Sequence, residues 1–356
     1  MVNNGVKFGI AGAIIAAVIV TSIPSLGLLA NRGNGINTDG SESNVIRIGY
    51  FPNVNHAQAV IGLGRGDYHN ALDGIEVRTQ LFNAGPSVIE AMLASQIDVA
   101  YIGPNPAING YIKSDGSVLR VISGAASGGA VFVVRNDAGI QSVSDFAGKK
   151  FASPQLGNTQ DVALRKYLLE NGYETSENGG TVEVLPAKTS DIVTLMLKKE
   201  IDGAWVPEPW GAKLVKEANA RIFVDERTLW PDGEFVSAHV IARTAYLESN
   251  PGNIKKFINA HIEETEWINQ NQEAAIKAFN QELAKLTGKT VPEDELVEGL
   301  SRMELTYDPV KESLFQSAED AREIGFLESG GPDLKGIYDL DILNEVLLEI
   351  GEETIE

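Results

Sequence analysis

The sequence has no cysteine. That excludes a disulfide framework, thiolate chemistry, a cysteine-ligated metal and the lipid-modified cysteine that tethers many exported bacterial proteins. Histidine is scarce: the four present (His56, His69, His239, His261) are scattered without metal-ligand spacing, so no metal site is expected. Cations are in deficit as well, with 29 Lys plus Arg against 49 Asp plus Glu and a formal net charge of −20. A surface so acidic lacks the clustered Lys and Arg that nucleic-acid binding requires. Catalytic signatures are missing too. There is no G-x-S-x-G, no H-E-x-x-H and no G-x-G-x-x-G, and no paired acid–base system falls in one place, so the expectation is a protein without turnover.

What is present is enough apolar material for a large core. A chain of 356 residues with 43% hydrophobic content suggests two lobes more readily than one. The most informative stretch is 82–112. Two short loops, Asn83-Ala84-Gly85-Pro86-Ser87 and Gly103-Pro104-Asn105-Pro106, each sit between an apolar strand-like run and a helix-like run. Pro86 suits the first turn of a helix, where its missing N–H has no partner to lose. Val88, Ile89, Met92 and Leu93 then recur at helical spacing, which predicts a helix over Pro86–Gln96. Ile97–Tyr101 reads as a strand, stopped by Gly103-Pro104, and Pro104–Lys113 as a second helix. In an open α/β sheet, loops at the carboxyl ends of strands gather in one crevice. Helix N-termini there offer free N–H groups and partial positive charge to an oxyanion. Ser87, Gly103 and Asn105 are the candidates this stretch supplies.

The helix led by Gly85-Pro86, followed in order by IDVAYIGPNPAI (97–108), FASPQLGNTQDVALRKYL (151–168) and IDGAWVPEPW (201–210), resembles the substrate-binding proteins of ABC importers of the nitrate/sulfonate/taurine type. The resemblance covers roughly residues 45–330. It implies a two-lobed α/β fold of the periplasmic-binding-protein kind (type II): two open sheets, with a ligand cleft and a hinge between them. It also implies a small anionic or zwitterionic organic ligand, permease subunits as partners and no cofactor. Some relatives of this fold make or bind thiamine precursors, which is the alternative reading.

Residues 1–30 carry one charged side chain, Lys7, ahead of the apolar run Phe8–Val20 and a small-residue segment after Pro24. This describes a cleaved signal peptide or a retained anchor over Phe8–Ala30; either implies export to the periplasm or cell surface, with membrane contact only through this segment. Residues 31–44, rich in Asn, Gly, Ser and Thr, read as a flexible linker.

Further candidates follow in chain order. After the strand Val45–Gly49, Asn55 and His56 lead into a helix, Asn55 either as a cap or as a ligand contact. Gly124–Gly129 reads as a small-residue turn in which Ser127 and Gly128 permit close approach to a ligand. Pro154–Gln160 leads a strand into a helix; Gln155, Gly157, Asn158, Thr159 and Gln160 would form an anion cradle, distinct from a P-loop because no Gly-Lys-Ser/Thr follows. Trp205, at a strand tip, is either core or an apolar wall. Glu208 is either a solvated cap or the counter-charge for a zwitterion's ammonium. Beyond Pro251 the chain reads as amphipathic helices with acidic outer faces. The expected lobes are 45–134 with 235–356, and 135–234, closing around one ligand on two crossing strands.

Overall fold

The structure, a computed structural model, describes residues 42–328 and 333–356. The expected export segment and residues 31–41 of the expected linker lie outside the described residues. Among the described residues, no helix is long and apolar enough to cross a membrane.

The chain begins with β1 (Val45–Tyr50), α1 (Ala57–Arg65), α2 (Asp67–Ala71), β2 (Glu76–Leu81), α3 (Gly85–Leu93), β3 (Val99–Ile102), α4 (Pro104–Lys113) and β4 (Leu119–Gly128). It continues through β5 (Ala130–Arg135), β6 (Lys150–Ser153), α5 (Thr159–Glu170), β7 (Glu183–Pro186), α6 (Thr189–Leu197), β8 (Gly203–Pro207), α7 (Trp210–Glu217) and β9 (Ala220–Asp225). It ends with β10 (Val236–Arg243), α8 (Thr244–Ser249), α9 (Pro251–Gln270), α10 (Gln272–Thr287), α11 (Glu293–Leu300), β11 (Met303–Leu305), α12 (Lys311–Glu323) and α13 (Asp341–Ile350).

Two sheets result, ordered β11-β4-β10-β3-β1-β2 and β7-β6-β8-β5-β9. Each holds three parallel strands (β2-β1-β3 and β7-β6-β8) next to an antiparallel one (β10 and β5). Both faces of each sheet are covered, which is why the central strands read as unbroken apolar runs. In β3, Val99 and Tyr101 join one core cluster with Phe257 and Ile258 of α9, while Ala100 and Ile102 join another with Val88, Met92 and Ile108. The second sheet repeats the pattern: Val131 and Val133 face α6 and α7, and Phe132 and Val134 face α5.

Three expectations change. Gly124–Gly128 is not a turn but the second half of β4, paired with β10 as far as Ser127↔Val236. The small residues serve packing there: a Cβ on Gly124 would meet the backbone oxygen of Asp308 at 2.0 Å. The first crossing comes earlier than residue 134, because β5 pairs with β8 and β9 from Ala130 onward. Met303, within the tract beyond Pro251 expected to be helical, opens β11 instead and pairs with Gly128. The end of the expected linker is also tied down. Glu42 accepts from the Gly252 N–H at 2.6 Å and Ser43 O from Asn253 Nδ2 at 2.8 Å, both at the start of α9.

Candidate functional site

The two lobes meet around a small cavity of about 20 Å³, lined by Phe51, Asn53, Asn55, His56, Asn83, Ala84, Gly103, Pro154, Asn158, Thr159, Gln160, Thr189, Pro207 and Ser237. Nearly all of these follow the carboxyl ends of parallel strands: β1, β2 and β3 from the first sheet, β6, β7 and β8 from the second. Topology alone therefore brings them together. Space of this size holds about one water-sized body. The lobes are in contact here: a Cβ on Gly103 would fall 2.4 Å from Thr159 Oγ1, so only glycine lets the first lobe approach α5 this closely.

Four helices begin at the cavity wall. Their N-cap residues are Ala84 (α3), Gly103 (α4), Asn158 (α5) and Lys188 (α6), and none makes a side-chain capping hydrogen bond. N-termini without a side-chain cap leave N–H groups and partial positive charge beside the cavity, offset at α5 and α6 by Asp161 and Asp191 in their first turns. The side chains add neutral groups. Asn55 Oδ1 and Thr159 Oγ1 are buried without a hydrogen-bond partner among the described residues. Burying such atoms unpaired costs about 1–3 kcal/mol each, a cost a ligand would relieve. A half-turn of the Asn55 carboxamide presents its NH₂ instead of its oxygen. His56 is 1% exposed. Burial lowers its pKa to about 3, and its Nδ1 accepts the Phe51 N–H at 3.4 Å, so the ring is a neutral imidazole. No charged residue lines the cavity.

An adjoining cavity of about 460 Å³ shares Phe51, Asn53, Asn83 and Thr189 with the first and continues between α6, α7 and α10. A separate one of about 500 Å³, on α5 and α12, carries six carboxylates and one lysine in its lining.

Six of the residues singled out from sequence are brought together: Asn55, His56, Gly103, Asn158, Thr159 and Gln160. Eight lie elsewhere. Ser87 is half-buried within α3. Asn105 turns away and donates to Ser317 O of α12 at 3.1 Å. Ser127 Oγ accepts the Phe235 N–H at 3.3 Å, and Gly128 carries the crossing between sheets, its N–H donated to Phe235 O. Gln155 is exposed, and the Gly157 N–H is held by Asp161 Oδ2 at 3.0 Å. Trp205 is fully buried core, stacked on Phe132 with its indole N–H donated to Glu226 at 2.6 Å. Glu208 is neither solvated nor at the cavity: it is 0% exposed, accepts the Ala212 N–H at 2.9 Å and pairs with Arg302 at 2.7 Å.

Sequence reasoning missed Phe51, Asn53, Asn83, Ala84, Pro154, Thr189, Pro207 and Ser237. For Asn83, Ala84 and Thr189 a signal existed, since each stands where a strand's apolar run gives way to a helix. Ser237 offered none, being one hydroxyl inside the apolar run of β10.

The chain belongs to the NMT1-like family, which it matches over residues 39–285. A Brucella abortus protein designated a binding protein is 28% identical over 235 residues, covering 63% of this chain and 70% of that one. The alkanesulfonate-binding protein SsuA of Xanthomonas axonopodis pv. citri, solved bound to MOPS, has a TM-score of 0.70 at 17% identity, covering 83% of this chain and 98% of that one. The periplasmic nitrate-binding protein NrtA of Synechocystis PCC 6803 has a TM-score of 0.72 at 16% identity, covering 87% and 90%. The fold is that of the periplasmic binding proteins, mixed α/β with two sheets, as the resemblance implied.

Proposed function

We propose that this protein is the extracytoplasmic solute-binding component of an ABC importer, capturing a small oxyanion-bearing compound (an aliphatic sulfonate, taurine, nitrate or similar) by closure of its lobes and presenting it to the permease. The observation that carries this reading is the meeting of four uncapped helix N-termini at a cavity free of charged side chains, in a chain with 49 acidic residues. Backbone N–H groups and neutral donors suit a delocalised anion, which needs several hydrogen bonds and no compensating cation. The named relatives are binding proteins, and two of the structural neighbours take a sulfonate-type or nitrate ligand, which agrees with this chemistry.

In this reading the sheets move as two bodies on the crossings at Gly128–Ala130 and between β9 and β10. The ligand contacts both lobes at once, and its binding free energy favours the closed form that the permease recognises. The ligand-contacting residues in this account are Asn55, His56, Gly103, Asn158, Thr159 and Gln160, joined by Asn53, Asn83, Thr189 and Ser237. The protein has no turnover, since nothing among them pairs a nucleophile with a base. A thermal-unfolding screen against sulfonates, taurine, nitrate, bicarbonate, phosphonates and thiamine precursors tests it. An oxyanion at 100 times its Kd stabilises the fold by about 2.7 kcal/mol. Stabilisation by a thiamine precursor alone would replace this reading with the alternative one.

A further inference from the structure

The 460 Å³ cavity beside the small one has a lining of unusual sign for this chain: Lys188, Lys213 and Lys289 stand in it and no carboxylate does. Lys213 is paired with Glu217 at 2.7 Å, but Lys188 and Lys289 form no ion pair among the described residues. The cations come from both lobes, Lys188 and Lys213 from the second sheet's helices and Lys289 from the loop after α10. Closure therefore gathers like charges across the cleft, which is unfavourable unless an anion lies between them. The same cavity also has aromatic walls: Phe51, Phe82 and Trp210. Trp210 is fixed in place by its indole N–H, donated to Asn53 Oδ1 of the facing lobe at 3.2 Å.

We infer that the ligand is an organic dianion. Its oxyanion head lies between the walls of the small cavity, which the lobe movement described above must part beyond their present one-water spacing. A flat or apolar spacer lies against Phe51, Phe82 and Trp210, and a second anionic group reaches the lysines. This rests on the oxyanion reading above and narrows it. A cavity of this volume admits a ring-sized spacer, which a simple inorganic anion would leave empty. An ammonium at the far end, as in a zwitterion, would meet three like charges and no counter-charge.

Three probes with one spacer test it by titration calorimetry of the full chain at low salt: benzenesulfonate, 4-sulfobenzoate and 4-(aminomethyl)benzenesulfonate, with nitrate alongside. The expected order places 4-sulfobenzoate about ten-fold or more tighter than benzenesulfonate, with the gap shrinking as salt rises. The double variant Lys213→Gln/Lys289→Gln should close most of that gap and leave benzenesulfonate and nitrate unaffected; Lys289 is exposed and Lys213 gives up one helix-surface ion pair, so folding is spared. Equal affinity of the two anions, tighter binding of the aminomethyl compound, or a gap that survives the double variant overturns the dianion while leaving the oxyanion reading intact. If neither nitrate nor any of the sulfonates binds, the oxyanion reading itself fails and takes the dianion with it.

Discussion

The starts of α5 and α7 belong to the same sheet, follow neighbouring strands and look alike in sequence: a strand tip, a proline, polar residues, then a helix. They use their N-termini in opposite ways. At α7, Glu208 turns back onto its own helix, accepts the Ala212 N–H and closes an ion pair with Arg302 of the other lobe. Its charge is consumed inside the protein. At α5, Asn158 makes no side-chain cap, and Thr159 beside it keeps a buried hydroxyl without a partner. Stability has been completed at one helix start and left incomplete at the other. Unsatisfied N–H groups at a helix start carry a cost that an anion can relieve.

The comparison can be broken most forcefully at α7. Glu208→Ala strands Arg302, whose side chain is 13% exposed, with Glu298 as its remaining partner. Losing one member of a buried pair should cost about 3 kcal/mol of stability, read from denaturant midpoints. Ligand affinity per folded molecule should hold, and a ten-fold loss of affinity would show that Glu208 reaches the ligand after all. Thr159→Val does the reverse. The volume is kept and an unpartnered hydroxyl is removed, so stability should stay level or rise by about 1 kcal/mol, while affinity falls by about ten-fold.

A separate effect, seen only on acidification, concerns His56. Its pKa is about 3 in the folded chain against 6.5 for an unperturbed histidine, so the unfolded chain takes up a proton first as pH falls. Its contribution is present above pH 6.5 and is lost on acidification at about 1.4 kcal/mol per pH unit. His239 and His261, each held near 4 chiefly by burial, act in the same direction. Glu226 and Glu264, raised to about 7 and about 8, act in the opposite one, because the folded chain keeps their protons longer. His56→Gln should therefore flatten the acid limb of the stability curve by about 1.4 kcal/mol per unit between pH 6 and 4. Ligand affinity in the parent protein should change less than about two-fold from pH 5.5 to 8, since the ring stays neutral throughout. Tighter binding on acidification would mean that His56 charges to meet the anion.

Much of the architecture was legible because apolar runs are punctuated by Gly and Pro where strands hand over to helices. Pro104–Lys113 is a helix as read, and the strand Val45–Gly49 falls on β1, one residue short of its end. What failed was decided far away in sequence. Gly124–Gly128 looks like a turn because its residues are small, yet β10 and β11 flank it and hold it as a strand. Glu208 looks solvated between two prolines, but its partner Arg302 lies 94 residues on. The cavity residues drawn from helix starts were the recoverable ones, since a helix N-terminus has a local signature. Asn105 also sits in a first turn, and only the packing of α12 against α4 shows that its carboxamide serves Ser317.

Both ends of the described chain sit on the first sheet's lobe. Glu42 and Ser43 are bound to the start of α9, and near the other end Asn344 clasps Ile355 through both its backbone N–H and its carbonyl oxygen. The second lobe is thus an insertion, entered and left through the first. Mechanical load applied at either end would run through α9, β1 and α13 without traversing the crossings. In the proposed closure, such a load would leave the second lobe's movement unopposed.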